Sequence, residues 1–270
     1  MKWGLICKPS EKSFSIGKKI YERIGKAMLE HKIASYMGKR GYSINEIGKK
    51  ADAIIIVGGD GTILMTLQHT DKPIFPINTG RIGFLTEMEA KEVENAIKEL
   101  LKKNYYVEER IKLAAKLGRK RLPDAANEIA VHTAHVGKIL FVKLYVDGIL
   151  TQSFYGDGLI ISTPMGSTSY SLSVGGPIVD PTLKVFVIAP MAPFRHLASS
   201  LVVPSDKKLK IKVEKPAKIA IDGLHTFHFE PSNTLQVMQS ENVARFMKIG
   251  NNFYKKIYRK LSFRYPKSLK

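Results

Sequence analysis

Residues Ala53–Leu67, AIIIVGGDGTILMTL, constrain the fold more tightly than any other stretch of the chain. Ala53–Val57 is short, apolar, β-branched and bounded by glycine, the pattern of a strand buried on both faces of a parallel sheet. Thr62–Gln68 carries helix-forming residues at helical spacing. The turn between them, Gly58-Gly59-Asp60-Gly61-Thr62, holds three glycines and one carboxylate. Glycine lets a ligand approach the main chain, and the unpaired N–H groups that open a helix suit phosphate. Phosphoryl transfer needs such donors, a divalent cation and a base that aligns the attacking hydroxyl. Gly58, Gly59 and Thr62 supply the donors on this reading, and Asp60 the base. The alternative is a structural turn in which Asp60 caps the following helix. Neither G-x-x-x-x-G-K-[ST] nor a complete G-x-G-x-x-G occurs, so any phosphate site must use a different glycine turn.

The flanking sequence supports a parallel sheet. Lys2–Cys7 reads as the first strand, and Ile16, Ile20, Ile24 and Met28 set a helix face within Phe14–Lys39. Gly41–Ile44 reads as a short strand, Pro73–Asn78 as another, Asn78–Leu85 as a glycine-punctuated loop and Glu89–Lys103 as an amphipathic helix. Residues 1–105 thus form an open, Rossmann-like α/β domain. From Tyr105 the texture changes to short alternating runs: Arg110–Leu117, Ala126–Val131, Ile139–Val146, Gly158–Ser162, Lys184–Ile188 and Lys208–Val213. Gly and Pro separate them, and the one helical candidate is Gly166–Val174. Residues 106–242 are therefore expected to form a mainly antiparallel β-sandwich. The basic tail, 243–270, is expected to be helical near Asn252–Leu261 and to pack back on the first domain.

The charge balance narrows the partners. Lys and Arg number 43 against 24 acidic residues, a formal charge of +19, which favours anions. Cys7 is the only cysteine, so no intramolecular disulfide can form. With no run of about 18 apolar residues, the chain reads as cytoplasmic, with no membrane partner. His132-x-x-His135 and His225-x-x-His228 imitate metal spacing, but in strands positions i and i+3 face opposite sides, so no metal site is assigned. Tyr254, Tyr258, Phe263 and Tyr265 interleave with Lys and Arg in the tail. That pattern suits either a nucleic-acid surface or an amphipathic end whose aromatics pack on the first domain or on a subunit neighbour; the second is preferred, with no nucleic acid as partner.

Two further stretches carry chemistry. Gly156–Val179, GDGLIISTPMGSTSYSLSVGGPIV, strings hydroxyls between glycines, framed by Asp157 and Tyr170. Hydroxyls bond ribose and phosphate oxygens, and a tyrosine ring stacks on a base. Asn127-Glu128 pairs an amide with a carboxylate suited to ribose hydroxyls. With Ile77–Leu85 (INTGRIGFL), the P-x-x-P of Pro190–Pro193 and Asp222-Gly223, these stretches resemble the NAD kinase family.

The resemblance implies transfer of the terminal phosphate of ATP, or of polyphosphate, to the adenosine-ribose 2′-hydroxyl of NAD, giving NADP. It implies Asp60 as general base and Gly61 beside it against NAD. Asn127 and Glu128 would hold NAD, and Asp157 its nicotinamide side. Thr168, Ser169, Tyr170, Ser171, Leu172 and Ser173 would line the pocket. Lys138, Tyr155 and Ala192 fall at further NAD-contact positions. Mg²⁺ or another divalent cation would be held mainly by nucleotide phosphates, and the enzyme would be a homodimer or homotetramer. Leu224 stands where the family often has Gln and cannot make that contact. Two other readings remain at this stage: a diacylglycerol or sphingoid-type lipid kinase, and a non-enzymatic nucleic-acid-binding protein.

Overall fold

The computed structural model describes residues 1–80, 83–86, 88–89, 92–135, 137–250 and 253–261. The chain divides into two compact units, Met1–Glu108 with Phe246–Lys270, and Glu109–Arg245.

The first unit alternates strand and helix: β1 (Trp3–Cys7), α1 (Glu11–Ile24), β2 (Ala27–Glu30), α2 (His31–Tyr36), β3 (Gly41–Tyr42), α3 (Ile44–Lys50), β4 (Ala53–Gly58), α4 (Asp60–Leu67), β5 (Ile74–Asn78), β6 (Met88–Glu89) and α5 (Val93–Leu101). The main strands lie in the order β5-β4-β1-β2-β3, all parallel. Every residue of β1, β4 and β5 is buried, as helices on both faces require. Trp3 sits in this core.

Two expectations change here. The helix read across Phe14–Lys39 stops at Ile24, because Gly25 takes φ 79° and its N–H closes on the Tyr21 carbonyl. Ala27–Glu30 then adds to β1 as a parallel strand, so Met28 belongs to a strand and not to the helix face. Helix α3 follows the predicted short strand β3, and a reciprocal Ser43–Glu46 capping box starts it.

The second unit is built from β7 (Tyr106–Leu117), β8 (Lys120–Arg121), β9 (Glu128–Thr133), β10 (Leu140–Val146), β11 (Ile149–Gly156), β12 (Gly158–Ser162), the short helix α6 (Tyr170–Ser173), β13 (Val185–Met191), β14 (Leu201–Pro204), β15 (Leu209–Val213), β16 (Ala217–Ile221), β17 (His225–Phe229) and β18 (Leu235–Lys248), with β7 and β18 each crossing the boundary between units. One antiparallel sheet runs β14-β13-β12-β9-β16-β17. A second runs β11-β10-β15-β18, with β7 beside β18. Alternate residues make the core between them: Ile129, Val131, Leu159, Ile161, Phe186 and Ile188 from one face, and Val142, Leu144, Phe154, Ile211 and Val237 from the other. The opposite face of β9, β12 and β13 is also buried, around Ala130, Ile160, Ala189 and Met191.

The end of the chain belongs to the first unit. Phe246 pairs with Ile74 of β5, so the strand β18 extends into the tail that was read as polar coil and helix. Helix α7 (Phe253–Leu261) follows. Its tyrosines are largely exposed, Tyr254 at 64% and Tyr258 at 71%, with Tyr254 edge-on to the ring of Phe253, whereas Lys256 is buried and donates to the carbonyls of Phe84 and Thr86. Phe263 and Tyr265 lie outside the described residues. No helix among those described is long and apolar enough to cross a membrane.

Phe186, fully buried at the centre of the sandwich, offers a direct test of that core. Phe186→Ala should cost about 3–5 kcal/mol of unfolding free energy, read as a lower urea midpoint with the slope unchanged.

Candidate active site

The glycine turn forms as the sequence suggests. Strand β4 ends at Gly58, Gly59 is extended (φ −112°, ψ −173°), and Asp60 is the first residue of α4. Asp60 does not cap this helix. Its carboxylate instead accepts from the backbone N–H groups of Phe84 (3.2 Å) and Leu85 (3.3 Å). Gly83 packs so closely that a Cβ there would lie 2.2 Å from Asp60 Oδ1. The glycines of the turn divide. A Cβ on Gly58 would strike the Thr62 hydroxyl at 2.7 Å, whereas Gly59 and Gly61 face open space and have no unusual φ. Packing within the chain therefore requires glycine at 58 but leaves 59 and 61 free for a ligand to approach the main chain. Arg81 and Ile82, in the predicted Asn78–Leu85 loop, lie outside the described residues.

In the second unit, the polar residues gather where β9 begins. Asp222, at the turn from β16 to β17, accepts from three successive backbone N–H groups: Ala126 and Asn127 at 2.8 Å and Glu128 at 3.1 Å. Its own N–H donates to the Glu128 carbonyl at 3.0 Å. The segment after β12 closes over the same residues. Thr163 N–H donates to the Asn127 carbonyl (2.9 Å) and the Thr163 hydroxyl to the Ala126 carbonyl (2.7 Å). Gly166 must be glycine, since a Cβ would lie 2.2 Å from the Asn127 carbonyl oxygen. Ser167 is spent internally, bonding the Pro164 carbonyl and the Val179 N–H. Part of the hydroxyl-rich stretch is thus scaffold.

What remains is poised. Asn127 Oδ1, Glu128 Oε2 and Ser171 Oγ are buried with no hydrogen-bond partner. A native fold rarely leaves such atoms unmatched, and a ligand resolves them. Ser169 donates to the Glu128 carboxyl, whose pKa is pushed up to about 8 by burial and then by the negative charge of Asp222. Burial also pushes Asp222 up, against the three amide donors and Lys112 that hold its charge. Tyr170 lies within the fields of Asp157 and Glu128; burial first, then those charges, raise its hydroxyl.

The remaining predicted residues separate. Asp157 is exposed beside Tyr170, its N–H bonded to the Met191 carbonyl at 2.9 Å. Ala192, at φ 44°, comes next and abuts Gly156. Thr168, at the end of a short 3-10 turn, and Leu172 of α6 are half-buried, and Ser173 at the end of α6 is exposed. Tyr155 sets its ring against Phe141 at 4.6 Å, tilted by 46°, and Lys138 is exposed. Neither meets Asn127, Glu128 or Tyr170 through a hydrogen bond or ring contact among the described residues.

Two residues gain a position that the sequence did not suggest. His132, set aside as a false metal ligand, stacks on Tyr170 at 5.6 Å and 17°; burial lowers its pKa while Asp157 opposes. Asp222, noted only as part of a motif, anchors Asn127 and Glu128. Among the described residues no group of three or more His, Cys, Asp or Glu is placed to hold a metal ion.

Comparison with known proteins gives one answer along the chain. The ATP-NAD kinase N-terminal domain family matches residues 9–105, and the ATP-NAD kinase C-terminal domain family matches residues 126–249. The NAD kinase of Thermoplasma acidophilum is 38% identical over 231 residues, 84% of each chain. That of Methanoregula boonei is 39% identical over 249 residues, covering 90% of this chain and 91% of its own. The crystal structure of an NAD kinase from Archaeoglobus fulgidus in complex with ATP superposes with a TM-score of 0.81 at 31% identity, covering 96% of this chain and 98% of that one. Yeast NADH kinase complexed with NADH shares the fold, with a TM-score of 0.90 at 20% identity over 99% of this chain and 90% of its own.

The raised pKa of Glu128 has a consequence for stability. Folding retains a proton that the unfolded chain sheds above its ordinary pKa of 4.5. The stability drawn from that protonated group is complete below pH 4.5 and is lost as pH rises to about 8. Glu128→Gln removes this loss. Its Tm relative to the parent should rise steadily between about pH 5 and pH 8; a difference independent of pH would contradict the burial argument.

Proposed function

The chain belongs to the NAD kinase family, and on that premise we propose that it transfers the terminal phosphate of ATP to the 2′-hydroxyl of the adenosine ribose of NAD with Asp60 as general base. Family membership sets aside the lipid-kinase and nucleic-acid readings. A ribose hydroxyl is a poor nucleophile near neutral pH, so a positioned carboxylate that accepts its proton contributes directly to rate. Asp60 is suited to this: two amide donors fix its direction, and Gly59 and Gly61 beside it stand in open space. Gly58, Gly59 and Thr62 form the turn on the donor-phosphate side.

The observation that carries the NAD assignment is the set of buried, unpartnered polar atoms on Asn127, Glu128 and Ser171. A dinucleotide supplies what they lack. Ribose hydroxyls donate to Glu128, and a carboxamide or base amine donates to Asn127 Oδ1. Tyr170, backed by the His132 ring, presents a flat face for a base. Asp157, Thr168, Ser169, Leu172, Ser173 and Ala192 complete the NAD side, and Lys138 and Tyr155 are outer contacts.

The donor set also fits a divalent cation carried by the nucleotide. With no cage of carboxylates and imidazoles among the described residues, Mg²⁺ would be bound by phosphate oxygens and water. When bound, it neutralises charge on the transferring phosphate. A dimeric or tetrameric assembly in the cytoplasm completes the proposal.

Asp60→Asn preserves size and one of the two amide contacts while removing the base, since its Nδ2 cannot accept from the second amide. It should fold and bind NAD as the parent does, with NADP formation from NAD and ATP reduced at least about 100-fold. Near-normal turnover in a coupled NADP assay would overturn the role given to Asp60.

A further inference from the structure

Helix α7 brings two lysines, one turn apart, to the loop that holds Asp60, and they do different work. Lys256 is buried and donates to the carbonyls of Phe84 and Thr86, which fixes the helix to that loop. Lys260 stands one turn further on with its ammonium 3.9 Å from the centre of the Phe84 ring. The amide of that same Phe84 donates to Asp60. A single residue therefore carries the base on its backbone and the cation on its ring. Burial lowers the pKa of Lys260, and the negative charge of Asp60 raises it, so the two groups are within electrostatic reach. Lys260 has no hydrogen bond or ion pair among the described residues, so its N–H donors are available to an incoming ligand.

A partly desolvated ammonium beside a general base, with its donors unused, is a poor structural brace and a good site for a phosphate oxygen. We propose that Lys260 is a further catalytic residue, its ammonium binding the non-bridging oxygens of the terminal phosphate of ATP beside Asp60. The inference rests on the reading of Asp60 as the base. In the transfer, the bond from the ribose 2′-oxygen to phosphorus forms as the bond from phosphorus to the β,γ-bridging oxygen breaks. The hydroxyl proton passes to Asp60, and the leaving electron pair remains on the diphosphate. Lys260 keeps its protons and offsets the charge on the phosphoryl oxygens throughout. The Phe84 face holds the ammonium in place without consuming a donor.

The chain permits an unusually clean test. Cys7 is the only cysteine, and it is buried with its thiol pushed up to about 12, by burial and by nearby Glu30, so it resists alkylation. Lys260→Cys thus adds one accessible thiol. The unmodified variant should lose about 10- to 100-fold in kcat while its affinity for NAD is unchanged. Treatment with 2-bromoethylamine restores an ammonium at nearly the lysine length and should recover most of the turnover. Iodoacetamide adds a neutral group and should recover none. The parent, treated alike, should keep its activity. Full turnover in unmodified Lys260→Cys, or equal recovery with both reagents, would overturn the proposal. Lys260→Gln and Lys260→Arg give the same contrast without chemistry, the arginine variant retaining more kcat than the glutamine variant; equal loss in both would likewise overturn it. Asp60→Asn, assayed in parallel, separates the two failures. An active Asp60→Asn protein removes the base, whereas an inactive one together with unaffected Lys260 variants removes only the lysine.

Discussion

A buried carboxylate that accepts from three successive backbone amides is the contact on which the start of β9, with Asn127 and Glu128, depends. Asp222 binds the N–H groups of Ala126, Asn127 and Glu128 just where β9 begins. Without it, those amides would be buried donors with no partner, since the segment lies before the sheet ladder takes over. With it, the chain enters β9 in one conformation, and Asn127 Oδ1 and Glu128 Oε2 are left buried with no hydrogen-bond partner among the described residues. Burial raises the pKa of Glu128, and the same charge adds to that shift. One anion thus fixes the position of this pair and reinforces the protonated form of one of its members.

The first unit uses the same device with the direction reversed in function. Asp60 is also a carboxylate held by consecutive backbone amides, those of Phe84 and Leu85. Asp222 is 6% exposed and spends its oxygens on structure. Asp60 stands at the mouth of α4 between glycines that leave open space, so its oxygens can meet a ligand hydroxyl. Comparable hydrogen bonds therefore hold a buried carboxylate in one case and a partly exposed one in the other, and the second is the arrangement that the proposed role as base requires.

Much of this was legible because it is local. The run Ala53–Val57 could hardly be anything but a buried parallel strand, and the alternating segments after Tyr105 do make two antiparallel sheets. The missed elements were those in which local signals conflict or in which the partner is remote. Met28 continues the four-residue spacing of α1, and only Gly25 marks the break; the gain from adding a strand beside β1 outweighs continued helix. The capping box before α3 was visible as Ser43-x-x-Glu46 but was overshadowed by the short strand preceding it. Asp222 is nearly a hundred residues from the amides it binds, and no spacing rule connects them. His132 looked like half of a metal site; its actual neighbour, Tyr170, is supplied by a different loop.

In the basic tail, lysines as well as aromatics reach the rest of the first unit. Interleaved aromatics and cations in a terminal helix suggest that the aromatics anchor it and the cations face water. Here Tyr254 and Tyr258 are exposed, while Lys256 is buried against two carbonyls and Lys260 lies over a ring. The reason is the composition of the loop they meet. A loop that turns its amides inward to hold Asp60 leaves carbonyls unmatched on another side, and a lysine satisfies them where a tyrosine ring could not. With a formal charge of +19, the chain has many lysines that could be lost without structural effect. What distinguishes these two is the need created by the loop they meet: fixing an anion with backbone donors exposes backbone acceptors, and the helix that answers those acceptors carries a second cation onto the Phe84 ring, within the field of Asp60.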